Sequence, residues 1–289
     1  MIIIHLTGGL GNQMFQYAAA RALQIKKNCV CKFYFKDSYK DATRKYQLDI
    51  FNLIIENASK SEIHSYNPVI GLRNKWKLLF RKKMQYPVYY EKKQFNFDPN
   101  FFNCSDNCLI SGFWQSEQYF IDIAAVIRHE FTFVPTPNEI NTKYINEIKA
   151  CNSISVHIRR TDYINSIKTN KIHGVCSYEY YENAINHIVE NISNPVFYFF
   201  SDDIEWTKST FENSKYISQF ISHNSGSNDY EDMRLMSNCK HHIIANSSFS
   251  WWGAWLNPQN DKIVITPKKW VNDIDISIVD LIPKNWVKL

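Results

Sequence analysis

The sequence predicts an α/β protein with two Rossmann-like domains, residues 1–136 and 137–289. Three observations predict it: a strand, glycine turn and helix at the start, a proline pair near the middle, and a second half in which apolar strands alternate with helices. Apolar strands between helices indicate a parallel sheet covered on both faces. The length agrees, because 289 residues are enough for two domains of ordinary size.

The first domain opens on the stretch MIIIHLTGGLGNQMFQYA. Its isoleucines form a β-branched run typical of a buried strand, and apolar residues from Met14 onward recur at helical spacing. A glycine turn at a helix N-terminus presents backbone N–H groups and the positive end of the helix dipole, which favours an anion. The dinucleotide fingerprint G-x-G-x-x-G is incomplete, because Met14 replaces its third glycine. This stretch by itself is compatible with a dinucleotide site and with a purely structural turn.

The rest of the first half is less regular and ends at the proline pair. CVCKFYF is strand-like, CLISGFWQS is a strand and its turn, and QYFIDIAAVIRHEF is helical. Pro135 and Pro137 then mark the best linker in the sequence. The last residues of the chain are expected to pack back on the first domain.

The second half alternates helix and strand to its end. The predicted helices are NEINTKYINEIKA, SYEYYENAINHIVENI, EDMRLMSNCK and WWGAWLN, and the predicted strands are NSISVHIRR, PVFYFFSDD, HHIIANSS and KIVITPKKW. Ligands of doubly wound sheets bind outside the carboxyl ends of the strands. That rule selects the polar groups at 157–162, 201–203 and 246–250.

Composition and charge narrow the classes of function. The chain shows no signal peptide and no apolar run that could span a bilayer, so a complete cytoplasmic protein is expected. The seven cysteines are scattered, so reduced thiols are expected rather than zinc ligands. The net charge of +5 comes without a nucleic-acid-binding motif, so no nucleic acid partner is expected. The basic, partly aromatic stretch 73–84 fits peripheral contact with the inner membrane face or a solvated helix face.

Charged side chains at the end of the strand NSISVHI suit a phosphate. Alternate side chains of a strand share a face, so His157 and Arg159 project together and Arg160 projects to the other side. One guanidinium can donate a fork of hydrogen bonds to a phosphate while its neighbour pairs with a carboxylate such as Asp162. Structural ion pairs explain the same pattern.

Acidic residues leave several interpretations open. Asp202 and Asp203 are placed to hold a divalent metal, to bind ribose hydroxyls or to cap the next helix. Asp273 and Asp275 have a D-x-D spacing that sugar transferases use for manganese or magnesium. Asp232 opens a predicted helix, where a carboxylate can accept hydrogen bonds from a guanine edge or only complement the helix dipole.

Five segments together resemble the bacterial α-1,2-fucosyltransferases of glycosyltransferase family 11. They are GGLGNQMFQYA, HIRRTDY, HGVCSYEYYENAI, YFFSDD and HHIIANSSFSWWGAWLN, which occur in the family's order across both halves. The resemblance implies a GT-B fold, in which two Rossmann-like domains face a cleft, the first on the acceptor side and the second binding GDP-fucose. It implies inverting transfer of L-fucose from GDP-β-L-fucose to O2 of a terminal β-galactose, without a metal cofactor. The acceptor would be an oligosaccharide such as a polysaccharide or lipid-linked O-antigen repeat.

The same resemblance implies roles for single residues. Arg159 would contact the β-phosphate of GDP and stabilise the leaving group, with Arg160 in support and His157 near the nucleoside. Asp162 is the candidate base. Its carboxylate would equally suit an ion pair that orients the arginines. The predicted donor-binding set is completed by Gly9, Asn12, Gln13, Asp202, Asp232, Asn246, Ser247, Ser248 and Phe249.

Three other functions stay open at this point. A metal-dependent sugar transferase would use one of the acidic pairs, Asp202 with Asp203 or Asp273 with Asp275. A non-catalytic module would bind a nucleotide or a sugar without turnover. An NAD- or FAD-dependent oxidoreductase is the hypothesis raised by the opening glycine turn.

Overall fold

The protein consists of two compact units. A computed structural model describes residues 1–35, 45–66, 86–161, 170–172, 174–212, 215–273 and 275–289. The first unit comprises Met1–Thr132 with Val279–Leu281, and the second comprises Phe133–Ile278 with Ile282–Leu289. The acceptor and donor roles given to residues 1–136 and 137–289 stay predictions.

The helices and strands alternate along most of the chain. The described strands are β1 (Ile2–Leu6), β2 (Cys31–Phe35), β3 (Val88–Tyr90), β4 (Cys108–Ser111), β5 (Asn152–Ile158), β6 (Pro195–Ser201), β7 (Ile217–Ile221), β8 (His241–Ile243), β9 (Val264–Thr266) and β10 (Val287–Lys288). The described α-helices are α1 (Leu10–Lys27), α2 (Lys60–Tyr66), α3 (Ala124–Glu130), α4 (Glu139–Ala150), α5 (Tyr178–Asn191), α6 (Ile204–Phe211), α7 (Tyr230–Asn238) and α8 (Ser248–Leu256). Short 3₁₀ helices lie at Leu48–Ile50, Pro99–Asn103, Glu117–Tyr119, Ile121–Ile123 and Gly226–Asn228.

The first unit is built on a parallel sheet with the strand order β2-β1-β4-β3. β1 pairs with β2 on one side and with β4 on the other, so that Ile2 lies between Cys31 and Cys108. The isoleucines of β1 are at most 1% exposed, as expected of a central strand. Tyr17 of α1 has no exposed surface either. The opening stretch therefore folds as predicted, as a strand, a glycine turn and a helix.

The second unit is built on a parallel sheet with the strand order β10-β9-β8-β5-β6-β7. β5, the first strand of this unit, is central, and Ile154 lies between Phe197 of β6 and His241 of β8. β6 and β7 extend the sheet to one side, and β8 to β10 extend it to the other. This is the strand order of the dinucleotide-binding Rossmann fold. The predicted alternation of helix and strand in this half is confirmed.

Both faces of the second sheet are covered by apolar helices. Side chains of β6 alternate between the faces, because successive residues of a strand point to opposite sides. Phe199 packs with Tyr181 of α5 on one face, while Phe200 packs with Leu235 of α7 on the other. Each fully buried phenylalanine contributes about 1.5–3 kcal/mol relative to an exposed one. The apolar layers hold the sheet rigid, so that polar loops at its edge keep fixed positions.

Two short segments complete the description. Val279–Leu281 belongs to the first unit, where the Asp280 carboxylate accepts the backbone N–H of Phe97 at 2.9 Å and Nε2 of Gln118 at 2.6 Å. Membrane contact is a separate question. Among the described residues, no helix is long and apolar enough to cross a membrane.

The basic stretch 73–84, for which membrane contact was one interpretation, lies outside the described residues.

Candidate active site

Loops that follow four strands of the second unit leave from the same edge of its sheet. β8, β5, β6 and β7 are neighbours in that order and run parallel, so their carboxyl ends lie side by side. The direction of strand order reverses between β5 and β8, and open α/β sheets bind ligands at such a switch point. The loops carry Arg159 and Arg160 after β5, Asp202 and Asp203 after β6, and Ser247 after β8.

The Asp202 carboxylate fixes the turn that carries the two arginines. Its Oδ1 accepts the backbone N–H of Arg160 at 2.8 Å, and its Oδ2 accepts that of Thr161 at 3.1 Å. Oδ2 also lies 3.4 Å from Nη1 of Arg159. Asp202 therefore sets the direction in which Arg159 leaves β5, a role that was not among those predicted from the sequence.

The two arginines have different environments. The Arg160 guanidinium lies 3.6 Å from the ring centroid of Trp206, and its Nε lies 3.4 Å from the Asp203 carboxylate. Asp203 also caps α6, since its side chain accepts the backbone N–H of Trp206 at 3.3 Å. Arg160 is thus occupied by a cation–π contact and an ion pair. Arg159 keeps 28% of its side chain exposed at the switch point.

His157 lies at the end of β5, beside the start of α8. It is 6% exposed, and its ring centroid lies 5.8 Å from that of Phe249. Burial, with the positive charge of Arg159, lowers the pKa of His157 to about 3, so the imidazole is neutral at physiological pH. The Tyr181 hydroxyl donates to the His157 carbonyl at 3.1 Å. Within the described part of the chain its buried Nδ1 atom has no hydrogen-bond partner.

The turn after β8 enters α8 through two serines. Ser247 is the N-cap, and its hydroxyl accepts the backbone N–H of Phe249 at 3.3 Å. Ser247, Ser248 and Phe249 are partly buried, whereas Trp251 and Trp252 of the same helix are fully buried and anchor it. A helix N-terminus next to a guanidinium-bearing turn favours a phosphate.

Asn246 joins three segments of the second unit. It is 3% exposed. Its Nδ2 donates to the carbonyls of Gly174 at 3.2 Å and Trp270 at 3.1 Å, and its Oδ1 accepts the Cys176 thiol at 3.5 Å. Gly174, Cys176 and Asn246 are among the residues that line a cavity of about 390 Å³. The structure thus gives Asn246 a bracing role, and its predicted contact with the donor stays a prediction.

Asp232 lies in the first turn of α7, at the same edge of the sheet. Its Oδ1 accepts Nδ2 of Asn224 at 2.8 Å. Burial raises the pKa of Asp232 to about 7, and the Asn224 hydrogen bond opposes that shift. Asn224 was not predicted, because an asparagine in the polar stretch SHNSGSND has no local pattern that marks it.

In the first unit, Gln13, which was predicted to bind the donor, is fully buried. Its Nε2 donates to the carbonyls of Gly8 at 2.9 Å and Lys45 at 2.8 Å. Its Oε1 accepts the backbone N–H of Gln47 at 3.1 Å. Gln13 therefore ties the glycine turn to the segment after β2, and its predicted contact with the donor stays a prediction.

The glycine turn itself depends on Gly8 more than on Gly9. Gly8 has a φ of 82°, and a Cβ there would lie 2.6 Å from Nδ2 of Asn12. Gly9 is the N-cap of α1, with an ordinary φ of −77°. A side chain at position 8 would therefore meet both backbone strain and a steric clash.

Amide hydrogen bonds cross the switch point of the first sheet, between β1 and β4. Nε2 of Gln115 donates to Oδ1 of Asn12 at 2.9 Å. Nε2 of Gln16 donates to the carbonyl of Gly112 at 3.0 Å, and its Oε1 accepts the backbone N–H of Thr7 at 2.9 Å. Neither Gln16 nor Gln115 was predicted, because both stand in stretches that the sequence assigns to a helix and a turn only.

The remaining predicted residues bear on the base and on a metal. Asp162, the candidate base, lies outside the described residues. The Asp273 carboxylate accepts the backbone N–H of Asp275 at 3.0 Å. Among the described residues, no group of three or more His, Cys, Asp or Glu side chains is arranged to hold a metal ion. The acidic pairs that a metal-dependent transferase would use are thus engaged in turns and caps.

Comparison with known proteins assigns the family. A family model described as glycosyl transferase family 11 matches residues 1–289. The chain belongs to glycosyl transferase family 11. This family 11 chain is 36% identical over 300 residues to an alpha-1,2-colitosyltransferase of Escherichia coli, covering 100% of this chain and 99% of that protein. It is 37% identical over 285 residues to the O-antigen biosynthesis glycosyltransferase WbnK of Escherichia coli, covering 92% of this chain and 93% of that one.

The fold of this family 11 chain is also similar to a solved structure. The selenomethionine form of the fucosyltransferase NodZ from Bradyrhizobium superposes with a TM-score of 0.50 at 12% identity, covering 89% of this chain and 92% of that chain. Together with the two parallel sheets, this likeness confirms the predicted fold class, α/β with Rossmann-like domains of the GT-B kind. The opening glycine turn thus belongs to a glycosyltransferase, not to an oxidoreductase.

Proposed function

We propose that this protein transfers L-fucose from GDP-β-L-fucose to O2 of a terminal β-galactose, with inversion at the anomeric carbon. Family membership supports glycosyl transfer, and the relative named for O-antigen biosynthesis supports an oligosaccharide acceptor, such as a lipid-linked repeat. The observation that carries the proposal is the edge of the second sheet. There, Arg159 is held by Asp202 beside the N-terminus of α8, and Asp232 lies at the same edge.

Arg159 is the group that stabilises the departing GDP. Breaking the bond between fucose and the β-phosphate leaves negative charge on the diphosphate, and a fixed guanidinium with helix N–H groups stabilises it. Removal of one such donor lowers kcat by about 10²–10³ in comparable sites. Arg160 does not substitute for it, because its guanidinium is stacked on Trp206 and paired with Asp203.

The nucleoside is proposed to lie along the rest of this sheet edge. The Asp232 carboxylate accepts N–H donors of the guanine base, and the neutral His157 lies near the nucleotide, beside Phe249. Ser247, Ser248 and Phe249 supply the helix start that holds a phosphate. Each of these contacts is available to a ligand with two phosphates and a purine.

The acceptor attacks from the face opposite to the leaving GDP. A base takes the proton of the galactose 2-hydroxyl while its oxygen forms a bond to C1 of fucose, and the bond from C1 to the phosphate oxygen breaks with its electron pair on GDP. Asp162, two residues after Arg160, is proposed as this base or as a carboxylate that orients the arginines. Its position follows from the sequence only.

The reaction is proposed to need no metal cofactor, because Arg159 and the start of α8 supply the positive charge. The protein is proposed to be cytoplasmic, with residues 73–84 in peripheral contact with the inner membrane face. Salt-sensitive binding to anionic liposomes, lost when Lys82 and Lys83 are neutralised, would support that contact. Binding that depends neither on salt nor on the charges of Lys82 and Lys83 would contradict it.

A second donor, GDP-colitose, is favoured by the 36% identity to an alpha-1,2-colitosyltransferase. Colitose is fucose without the 3-hydroxyl group, so the same nucleotide edge serves both donors and only the sugar contacts differ. The test is to incubate the protein with either donor, with EDTA and with lactose or another β-galactoside. A 2-fucosylated product formed in the presence of EDTA supports the proposal. Faster transfer from GDP-colitose than from GDP-fucose would show that GDP-colitose is the preferred donor. No transfer from GDP-fucose to any β-galactoside overturns it.

A further inference from the structure

A line of hydrogen-bonded side chains lies behind Asp232 in the second unit. Asn141 stands in the first turn of α4, Asn224 in the loop after β7, and Asp232 in the first turn of α7. Asn141 lies 83 residues before Asn224, whereas Asn224 lies eight residues before Asp232. The line therefore joins parts of the fold that only the tertiary structure brings together.

The two asparagines form a reciprocal amide pair. Nδ2 of Asn141 donates to Oδ1 of Asn224 at 2.9 Å, and Nδ2 of Asn224 donates to Oδ1 of Asn141 at 3.1 Å. Nδ2 of Asn224 also donates to Oδ1 of Asp232 at 2.8 Å. Asn141 has no exposed surface, and its backbone N–H bonds to the Asn138 cap at 2.8 Å. The pair is thus anchored to the start of α4.

His223 bonds to the Asn141 end of this line. Its Nε2 lies 2.8 Å from Oδ1 of Asn141, and since an amide oxygen only accepts, the ring donates from Nε2. The His223 ring stacks on Tyr144, with centroids 5.2 Å apart and planes 9° apart. If the Asn224 amide turned over, it would lose both bonds to Asn141 and point its oxygen at a carboxylate. Asn224 is therefore locked as a donor toward Asp232.

That donor acts on a carboxyl group whose ionisation is finely balanced. Burial raises the pKa of Asp232 to about 7, nearby carboxylates raise it further, and the Asn224 hydrogen bond lowers it. The titratable and charged groups around it are Asp229 and Glu231 at the start of α7, Arg234, which lies 3.0 Å from Glu231, and His223 from the loop after β7. A hydrogen bond donated to the charged form favours that form. Without Asn224, more of Asp232 is protonated at neutral pH.

We propose that Asn224, backed by Asn141, is the positioning residue that holds the Asp232 carboxylate ready for the N1–H and 2-amino donors of a guanine base. This inference rests on the proposed function, in which GDP carries the sugar. Within the described ranges of the chain, no other side chain hydrogen bonds to Asp232, so Oδ2 is available to the base. Two acceptor oxygens facing two adjacent N–H donors distinguish guanine from hypoxanthine, which lacks the 2-amino group.

The test measures the binding of GDP and of inosine diphosphate, IDP, by titration calorimetry. Asn224→Ala should weaken GDP binding about tenfold at pH 7, because a hydrogen bond to a charged group is lost. The preference for GDP over IDP should shrink with it. Raising the pH to about 9 should restore most of the GDP affinity, because Asp232 then ionises without help. kcat at saturating donor should change less than about threefold, because the residue acts on binding.

A matched control lies on α7. Nδ2 of Asn238 donates to the Arg234 carbonyl at 2.8 Å, so Asn238→Ala removes an amide of the same kind. It should lower thermal stability and leave the ratio of GDP to IDP affinity unchanged. Asn224→Asp is a second, nearly isosteric variant, which cannot donate and adds a like charge. It should bind GDP more weakly than Asn224→Ala at pH 7, and it decides the matter if the alanine variant does not fold.

Three outcomes separate this inference from the proposed function. If Asp232→Asn loses the preference for GDP over IDP while Asn224→Ala and Asn224→Asp keep it, the positioning role is wrong and the GDP site stands. If Asp232→Asn binds GDP as the wild type does, the guanine contact of Asp232 and the positioning role are both wrong, while fucosyl transfer is unaffected. If the wild type does not bind GDP, the proposed function is wrong as well.

Discussion

Both units have loops and a helix start at the carboxyl edge of a parallel sheet, but the side chains at the two edges differ in charge. In the first unit, neutral amides close the switch point, with Gln115 bonded to Asn12 and Gln16 bonded to Gly112. In the second unit, the corresponding loops carry charge, and Arg159 keeps 28% of its side chain exposed. A neutral amide attracts an anion less strongly than a partly exposed guanidinium does.

The two helix starts at these sheet edges differ in the side chains that surround them. The turn at Gly8 has the right backbone, yet its neighbours Asn12 and Gln13 are joined to other loops. At the second edge no glycine-rich turn precedes α8, and Ser247 caps the helix instead. The charge next to the helix start, rather than the turn type, separates the two edges.

The largest expected effect comes from removing the partly exposed Arg159 guanidinium. Arg159→Ala should lower kcat by about 10²–10³, because the leaving diphosphate loses its fixed positive partner. Arg160→Ala is the matched control, since it removes a cation–π contact and an ion pair at the same turn. It should lower the melting temperature and cost less than about tenfold in kcat. Arg159→Ala with more than about a tenth of wild-type turnover would remove Arg159 from the central role.

A smaller effect is expected from the residue that holds the arginine turn. Asp202→Ala leaves the N–H groups of Arg160 and Thr161 without their acceptor, so kcat/KM should fall about tenfold or more and stability by about 1–3 kcal/mol. Asp203→Ala removes a helix cap instead and should cost about 1 kcal/mol in stability with little change in kcat/KM. Steady-state kinetics and thermal unfolding of both variants check this. Equal kinetic losses would contradict a specific role for Asp202.

The pH dependence of donor binding tests the second edge again. Burial raises the pKa of Asp232 to about 7, so below that pH the free protein carries a neutral carboxyl group. A guanine base needs the carboxylate, so GDP affinity should fall as the pH drops below about 7, by up to about tenfold per pH unit. Calorimetry across that range checks the slope. Asp232→Asn should bind weakly with a shallower slope, and a slope equal to that of the wild type would show that another group is responsible.

The smallest effect on catalysis is expected in the first unit. Gln13→Ala removes hydrogen bonds from a side chain with no exposed surface, so stability should fall by about 2–3 kcal/mol. KM for the donor should stay within about twofold, since the side chain is occupied inside its own unit. A large rise in KM without loss of stability would show that the glycine turn contacts the donor, as the sequence predicted.

Much of the second unit was predictable because its signals are local. The apolar runs of β5 and β6 and the helical spacing of α5 fix those elements, and the rule for parallel sheets places Arg159, Asp202 and Ser247 at one edge. The hydrogen-bond partners of Gln13 are the opposite case. Nothing in GGLGNQ tells that its amide is buried against Lys45 and Gln47, because those partners come from a distant segment.

The sequence by itself determined the α/β class, the order of elements and, through five motifs, the glycosyltransferase family. It did so because apolar periodicity and motif spacing depend on neighbours along the chain. Only the tertiary structure decided which arginine is stacked on Trp206, and that Asn141 lies behind Asn224 and Asp232. The partner of a polar side chain depends on which loops meet at a sheet edge, and distant segments meet there only when the apolar layers have packed.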